Sequence, residues 1–160
     1  MVIVLMGVTG VGKTTVGRAL AAELGWRFAD GDDYHSAANV AKMHAGIALT
    51  DEDRAPWLQK LRDAITGWLA AGENVVLACS ALKATYRERL AVGPEVRFVY
   101  LRASIELVAS RLAGRHGHYM NPQLLPSQFA TLEEPHHAVT VDAGLAVPTI
   151  VSKIRDTLGI

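Results

Sequence analysis

Ten residues near the start, Met6-Gly-Val-Thr-Gly-Val-Gly-Lys-Thr-Thr15, constrain this chain more than any other stretch. Gly7, Gly12, Lys13 and Thr14 fit the spacing G-x-x-x-x-G-K-[ST] of a phosphate-binding loop. The flanks supply the context that the motif needs. Met1 to Met6 is a short apolar run that predicts a buried strand, and Val16, Leu20 and Leu24 share one face of a helix from Thr14 to Leu24. A strand, a glycine turn and a helix in that order aim backbone N–H groups and the positive end of the helix dipole at one point, which favours an anion. The spacing therefore predicts a nucleoside triphosphate held by Gly7, Val8, Thr9, Gly10, Val11, Gly12, Lys13, Thr14 and Thr15. Lys13 would reach the β- and γ-phosphates, and the Thr14 hydroxyl would bind Mg²⁺.

Composition narrows the setting. The 160 residues suit a single domain over 1–160, and half of them are apolar, so a substantial core can be buried. Sixteen basic and sixteen acidic side chains cancel, so no global field draws the protein to nucleic acid or to an anionic membrane. A single cysteine, Cys79, excludes an intrachain disulfide and offers no metal-ligand spacing, which suits a reducing cytoplasm. No apolar run approaches the length of a membrane span, and Met1 leads straight into the first strand. A soluble cytoplasmic protein is the expectation.

Along the chain, strand and helix patterns alternate. Gly25 reads as a helix C-cap, Trp26 to Ala29 as a second strand, and Ala37 to Met43 as a short helix. Thr50 and Asp53 form a capping-box pattern ahead of a helix with Trp57, Leu58, Leu61, Ile65 and Trp68 on one face, ending near Gly72. The two tryptophans are assigned to the core. Asn74 to Ala78 is a third strand, followed by a helix to Leu90, and Val96 to Leu101 is a fourth. Ser104 caps a helix that turns Ile105, Val108 and Leu112 to the core. Ser127 to Glu134 forms a short helix, Ala138 to Asp142 a fifth strand, and Pro148 opens the last helix. This alternation predicts an α/β fold of three layers, a five-stranded parallel sheet with helices on both faces. Such sheets bind ligands at the carboxyl ends of their strands. The loop at Gly7 to Thr14, the Asp30 to Asp33 cluster and the segment Cys79 to Lys83 all follow strands.

Phosphoryl transfer needs a held triphosphate, Mg²⁺, a positioned acceptor hydroxyl and cations where charge spreads. Asp30 and Asp32 are two apart and project to one side if the strand geometry persists. One carboxylate of the cluster would hold Mg²⁺, directly or through water, and another would accept the acceptor's proton; the competing reading is a surface turn. Arg111 and Arg115 stand at i and i+4, ahead of His116, Gly117, His118 and Tyr119. They predict a mobile lid over about 114–126 that closes arginines over the phosphates and excludes water, against the reading of a solvated helix end. Arg54 lies in the first turn of its helix, a poor place for a cation unless an anion is near. That anion is Asp51, Asp53 or, in the preferred reading, a substrate carboxylate. Lys83 is a second candidate for anion binding. The six histidines, at 35, 44, 116, 118, 136 and 137, show no zinc-ligand spacing.

With these segments in place, the chain resembles the gluconate kinases (gluconokinases) of the small P-loop type. The resemblance rests on the phosphate loop and on Asp30-Gly-Asp-Asp-Tyr-His35, Lys42-Met43 and Leu49-Thr-Asp-Glu-Asp-Arg-Ala-Pro-Trp-Leu58. It continues through Cys79-Ser-Ala-Leu-Lys83 with Tyr86-Arg87, Arg115-His-Gly-His-Tyr-Met120 and Leu124 to Pro135. It implies ATP-dependent phosphorylation of D-gluconate on its 6-hydroxyl, a fold similar to shikimate and nucleoside monophosphate kinases, and commonly a homodimer. Carried over, Asp30 helps hold Mg²⁺ and Asp32 orients or deprotonates the acceptor hydroxyl. Asp32, Asp33, His35, Arg54 and Lys83 contact the substrate, and Lys13, Arg111 and Arg115 join Asp32 in catalysis. Two departures stand out. Ser80-Ala81 replaces the consecutive glycines of a shikimate kinase, and the third strand lacks a terminal Asp for Mg²⁺.

Other readings remain at this point. A kinase of another small hydroxylated acid or of a nucleotide would use the same fold. A GTP-binding switch is disfavoured because no [NT]-K-x-D motif occurs. A nucleic-acid-dependent NTPase is disfavoured by the zero net charge.

Overall fold

A computed structural model describes residues 1–114 and 121–160. Five parallel strands form one sheet: β1 (Val2–Met6), β2 (Arg27–Asp30), β3 (Val75–Ala78), β4 (Val96–Arg102) and β5 (Val139–Asp142), in the order β2-β3-β1-β4-β5. Around it lie α1 (Lys13–Leu24), α2 (Ala37–His44), α3 (Asp51–Ala70), α4 (Ala84–Leu90), α5 (Ile105–Ala113), α6 (Leu125–Thr131) and α7 (Val147–Leu158). Among the described residues no helix is long and apolar enough to cross a membrane.

The central strand shows why the sheet is covered twice. All five residues of β1 are buried, and alternate side chains leave on opposite faces. Ile3 and Leu5 enter a core with Val16 and Leu20 of α1, Val108 and Leu112 of α5, and Ile150 and Ile154 of α7. Val2, Val4 and Met6 enter a second core with Trp57, Leu58, Leu61, Ile65 and Trp68 of α3 and Leu90 of α4. The expected stripe on α3 is thus buried as a unit. Its start is the expected capping box, with the Thr50 hydroxyl accepting from the Asp53 N–H and the Asp53 carboxylate accepting from the Thr50 N–H.

The differences from the sequence reading have local causes. Ile105 is exposed, because α5 turns Val108 and Leu112 to the core and leaves its first residue at the rim. The helix expected over Ser127 to Glu134 is α6, two residues earlier at its start. Pro126 lies in its first turn, where a missing N–H costs nothing. It stops at Thr131, and the Glu133 N–H is drawn to the Leu82 carbonyl at 2.8 Å. Within the span expected as the lid, Asn121 and Leu124 are held against α2, while Pro122 and Gln123 between them are exposed. The Asn121 N–H donates to the Met43 carbonyl, and Leu124 joins Met43 and Leu49 in a small third cluster. The rest of the lid expectation, including Arg115, lies outside the described residues.

Candidate active site

The carboxyl ends of β1, β2 and β3 meet as the sequence predicts. The Gly7 N–H donates to the Ser80 carbonyl, and the Thr14 hydroxyl donates to the Asp30 carboxylate at 3.1 Å. Their loops line one cleft of about 310 Å³ with Thr9, Gly10, Gly12, Lys13, Thr14 and Thr15 on one side. Asp30, Asp32, His35, Arg54 and Trp57 also line it, with Asp30 in contact with Thr14.

The phosphate loop is built from its buried side chains outward. Val8 and Val11 point into the core and fix the loop's path, so these two positions contribute backbone to a ligand. Gly10 has φ +84°, and a Cβ there would come within 2.8 Å of Leu112 Cδ2. A side chain would collide with α5 in a conformation that L-residues rarely adopt. The first residue before α1, Gly12, brings no side-chain cap. The N–H groups of the first turn therefore remain available for an anion, and the dipole favours one. Gln128 of α6, missed at the sequence level, is buried and accepts from both the Thr9 N–H and hydroxyl, at 3.3 and 3.5 Å. Its block, Leu124 to Pro135, carries the family resemblance but no spacing that gives Gln128 a role; the contact spans 119 positions.

Lys13 Nζ donates to the Gly7 and Val8 carbonyls, each at 2.9 Å. Burial lowers its pKa below the ordinary lysine range, and the nearby Asp32 and Asp30 carboxylates oppose that shift. Across from it, Asp32 opens into the cleft. The enclosing walls, then the Asp30 carboxylate, push its pKa up to about 6, while Lys13 pulls the other way. Asp30 is otherwise employed: one oxygen accepts from the Asp32 N–H at 3.0 Å and the other from Thr14. Gly31 between them is required by a close approach. A Cβ there would lie 2.9 Å from the Ala78 carbonyl oxygen. Asp33, exposed like Asp32, is not among the residues that line the cleft. The three-residue-per-turn geometry of Gly31–Tyr34 sends it away from Asp32.

Thr14 and Asp30 offer Mg²⁺ two hard oxygen donors in mutual contact. Among the described residues no group of three His, Cys, Asp or Glu could enclose a metal. A hydroxyl and one carboxylate fit a cation that keeps waters and takes its other ligands from phosphates.

Arg54 is half-buried in the cleft wall, with Nη1 donating to Tyr86 Oη at 3.1 Å. The two carboxylates that would neutralise it are committed elsewhere. Asp53 pairs with Lys42 at 3.0 Å, and Asp51 pairs with Lys83 at 2.9 Å and accepts from Tyr86. Among the described residues no ion pair involves Arg54, so its charge faces the cleft. The same contacts correct the reading of Lys83. It is held by Asp51 and lies outside the cleft lining, because the Cys79–Lys83 segment turns it toward the start of α3.

Arg111 is held by backbone. Expected in a lid over the phosphates, it donates from Nη1 to the Val11 carbonyl at 2.8 Å and from Nη2 to the Ala143 carbonyl at 2.7 Å. Its planar fork suits two carbonyls held side by side; it braces the phosphate loop, and it is not among the residues that line the cleft.

The Cys79–Lys83 block supplies the floor. Burial raises the Cys79 thiol to about 12, so it is inert. Ala81 has φ +43°, the left-handed conformation that glycine adopts freely. Its fully buried methyl belongs to the second core, which offsets the strain and accounts for alanine in place of glycine. Arg87 holds the turn from outside, donating to the Ala81, Leu82 and Glu133 carbonyls.

Known proteins with this arrangement can now be compared. The family model described as "AAA domain" matches residues 3–123. The thermosensitive gluconokinase of Escherichia coli (strain K12) is 47% identical, covering 97% of this chain and 86% of that protein. The chain belongs to the gluconokinase family. The crystal structure of a gluconokinase from Sinorhizobium meliloti 1021 is 41% identical with a TM-score of 0.87, covering 98% of this chain and 90% of that one. A shikimate kinase from Bacteroides thetaiotaomicron, 18% identical with a TM-score of 0.67 over 100% of this chain and 99% of that one, shares the fold. The gluconokinase-family assignment gives the specific blocks Asp30 to His35 and Asp53 to Leu58 a common location, since both border the cleft. Trp57, assigned only to the core by its sequence pattern, has a second place in the structure. Trp57 is buried in the second core, lines the cleft and donates from Nε1 to the Gly31 carbonyl at 2.7 Å.

Proposed function

We propose that this gluconate kinase transfers the γ-phosphoryl group of ATP to the 6-hydroxyl of D-gluconate, giving 6-phospho-D-gluconate and ADP. One observation carries the reading: Arg54, which makes no ion pair among the described residues, and Asp32, whose pKa is raised, share a single cleft with Lys13 and Thr14. The loop side takes the triphosphate. The opposite wall suits an acceptor with an anionic end for Arg54 and a hydroxyl for Asp32. Lys13 lies where negative charge spreads over the transferring group, and Asp32 accepts the proton that the attacking hydroxyl gives up. Thr14 and Asp30 would hold Mg²⁺, which would neutralise phosphate charge when bound. Arg115 is assigned to a segment that closes the cleft, as the resemblance implies; Leu124, Ser127 and Gln128 border the cleft.

Coupled ADP release with a panel of acceptors tests the reading. Turnover should depend on gluconate, and preference for shikimate or a nucleoside monophosphate would sink it. Arg54→Ala should raise the gluconate KM by roughly tenfold or more with little change in the ATP KM, since a charge-assisted bond to a carboxylate is made in ground and transition states alike. An unchanged gluconate KM would reduce Arg54 to a partner of Tyr86.

A further inference from the structure

Two polar side chains are buried among the described residues, Gln128 and Asn39. Gln128 serves the phosphate loop. Asn39, in the first turn of α2, has no role in the site described so far, and a buried amide needs its bonds explained.

Asn39 Nδ2 lies 2.9 Å from the Asp53 carbonyl oxygen and 3.3 Å from His35 Nδ1. A carbonyl only accepts, so the NH₂ end of the amide must face Asp53. The second hydrogen of that NH₂ then points to His35 Nδ1, which must be the unprotonated nitrogen. The proton of the neutral ring resides on Nε2. The ring plane is fixed independently. His35 stacks on Trp57 with centroids 4.3 Å apart at 11°, and Trp57 is itself held by the Gly31 carbonyl. Burial, with the positive Arg54 adding to it, lowers the imidazole to about 4, so the ring is neutral at ordinary pH. His35 lines the cleft between Asp32 and Arg54 in sequence and shares their wall.

We propose that Asn39 is a positioning residue that locks His35 in the Nε2–H tautomer, so that a neutral ring offers an N–H donor to an oxygen of the acceptor. The proposal rests on the reading of this wall as the acceptor side. A polyhydroxy acid presents several hydroxyl oxygens, and one neutral donor recognises an oxygen without placing a second cation beside Arg54. Asn39 thereby links α2, the Asp53 carbonyl in the first turn of α3 and the histidine after the Asp cluster into one hydrogen-bonded unit.

Long-range proton–nitrogen spectra of the full chain labelled at histidine nitrogen decide the tautomer at neutral pH, with His35→Phe identifying the His35 signals. The expected result is a His35 ring protonated on Nε2 alone. Protonation on Nδ1, or a mixture of tautomers, overturns the lock. Asn39→Asp replaces the donor by an acceptor and should bring a proton to Nδ1; an Nδ1 still bare would overturn it too. Asn39→Leu, which frees the ring, and His35→Phe, which keeps a stacked ring without a donor, should each raise the gluconate KM roughly three- to tenfold while the ATP KM holds. An unchanged gluconate KM in His35→Phe overturns the donor role. If the wild-type protein does not phosphorylate gluconate, the assignment of substrate fails, yet the free-protein spectrum still decides the lock.

Discussion

Lys13→Ala is expected to lower kcat by roughly 10²-fold or more, the scale on which removal of one transition-state charge partner is felt. Lys13 is buried enough that its charge is disfavoured, and the Asp32 and Asp30 carboxylates only partly offset that cost. Its ammonium group donates to two carbonyls of the loop it serves, at 2.9 Å each. These carbonyls are neutral acceptors, and a triphosphate oxygen is a stronger partner for a poorly hydrated cation. Negative charge developing on the transferring group strengthens that contact further, which is why the loss should fall on kcat more than on the ATP KM. The two backbone bonds give the competing account, in which Lys13 mainly braces Gly7 and Val8. Thermal unfolding separates the two. A bracing role predicts a lower Tm with kcat near normal, and that outcome would remove Lys13 from catalysis.

Much of the fold and about half of the site were legible from local patterns. The phosphate loop, the Thr50 capping box and the apolar stripe on α3 are short-range features, set by spacings of three or four residues, and each lies where those spacings put it. The convergence of three loops followed from the rule for parallel sheets. Errors arose where a long-range partner decided the outcome. Whether Arg54, Lys83 or Arg111 is free depends on carboxylates and carbonyls distant in sequence. Lys83 is captured by Asp51, 32 positions away, and Arg111 by Val11, 100 positions away. Charge type and helix position show that such cations need partners, but not which partner reaches first. Asn39 had no signal, and Gln128 and Arg87, though inside blocks that carry the resemblance, had no role, since each acts through contacts to backbone that no spacing encodes. Trp57 carried a usable signal. It follows Arg54 by three on one helix, so the face that presents Arg54 to the cleft also presents Trp57.

Asp32→Asn is expected to reduce kcat by roughly 10²- to 10⁴-fold, the range of a lost general base, while leaving the fold intact or firmer. The two halves of this prediction share a cause. Enclosure in the cleft and the Asp30 carboxylate hold the proton on Asp32 up to about 6, well above the ordinary aspartate value. A proton acceptor tuned upward is a stronger base once it is ionised, which suits the removal of a hydroxyl proton near neutral pH. The same shift means that the folded state binds this proton more tightly than the unfolded chain does. Its stabilising contribution is fully present below the unfolded value and is lost as pH rises through about 6. At neutral pH the wild-type protein therefore keeps a carboxylate in a place that disfavours it, and the isosteric amide removes that burden. Tm at pH 7 should be equal or higher in the variant, with the two proteins converging as pH falls below 4. The activity of the wild type should rise through an acidic limb with a midpoint near or below 6, a limb that the residual activity of the variant lacks. A variant with near-normal kcat would move the base elsewhere in the cleft. A lower Tm at pH 7 would mean that attraction between Asp32 and Lys13 outweighs the enclosure and the Asp30 charge, and the two carboxylates would then have to be read as structural partners of the lysine.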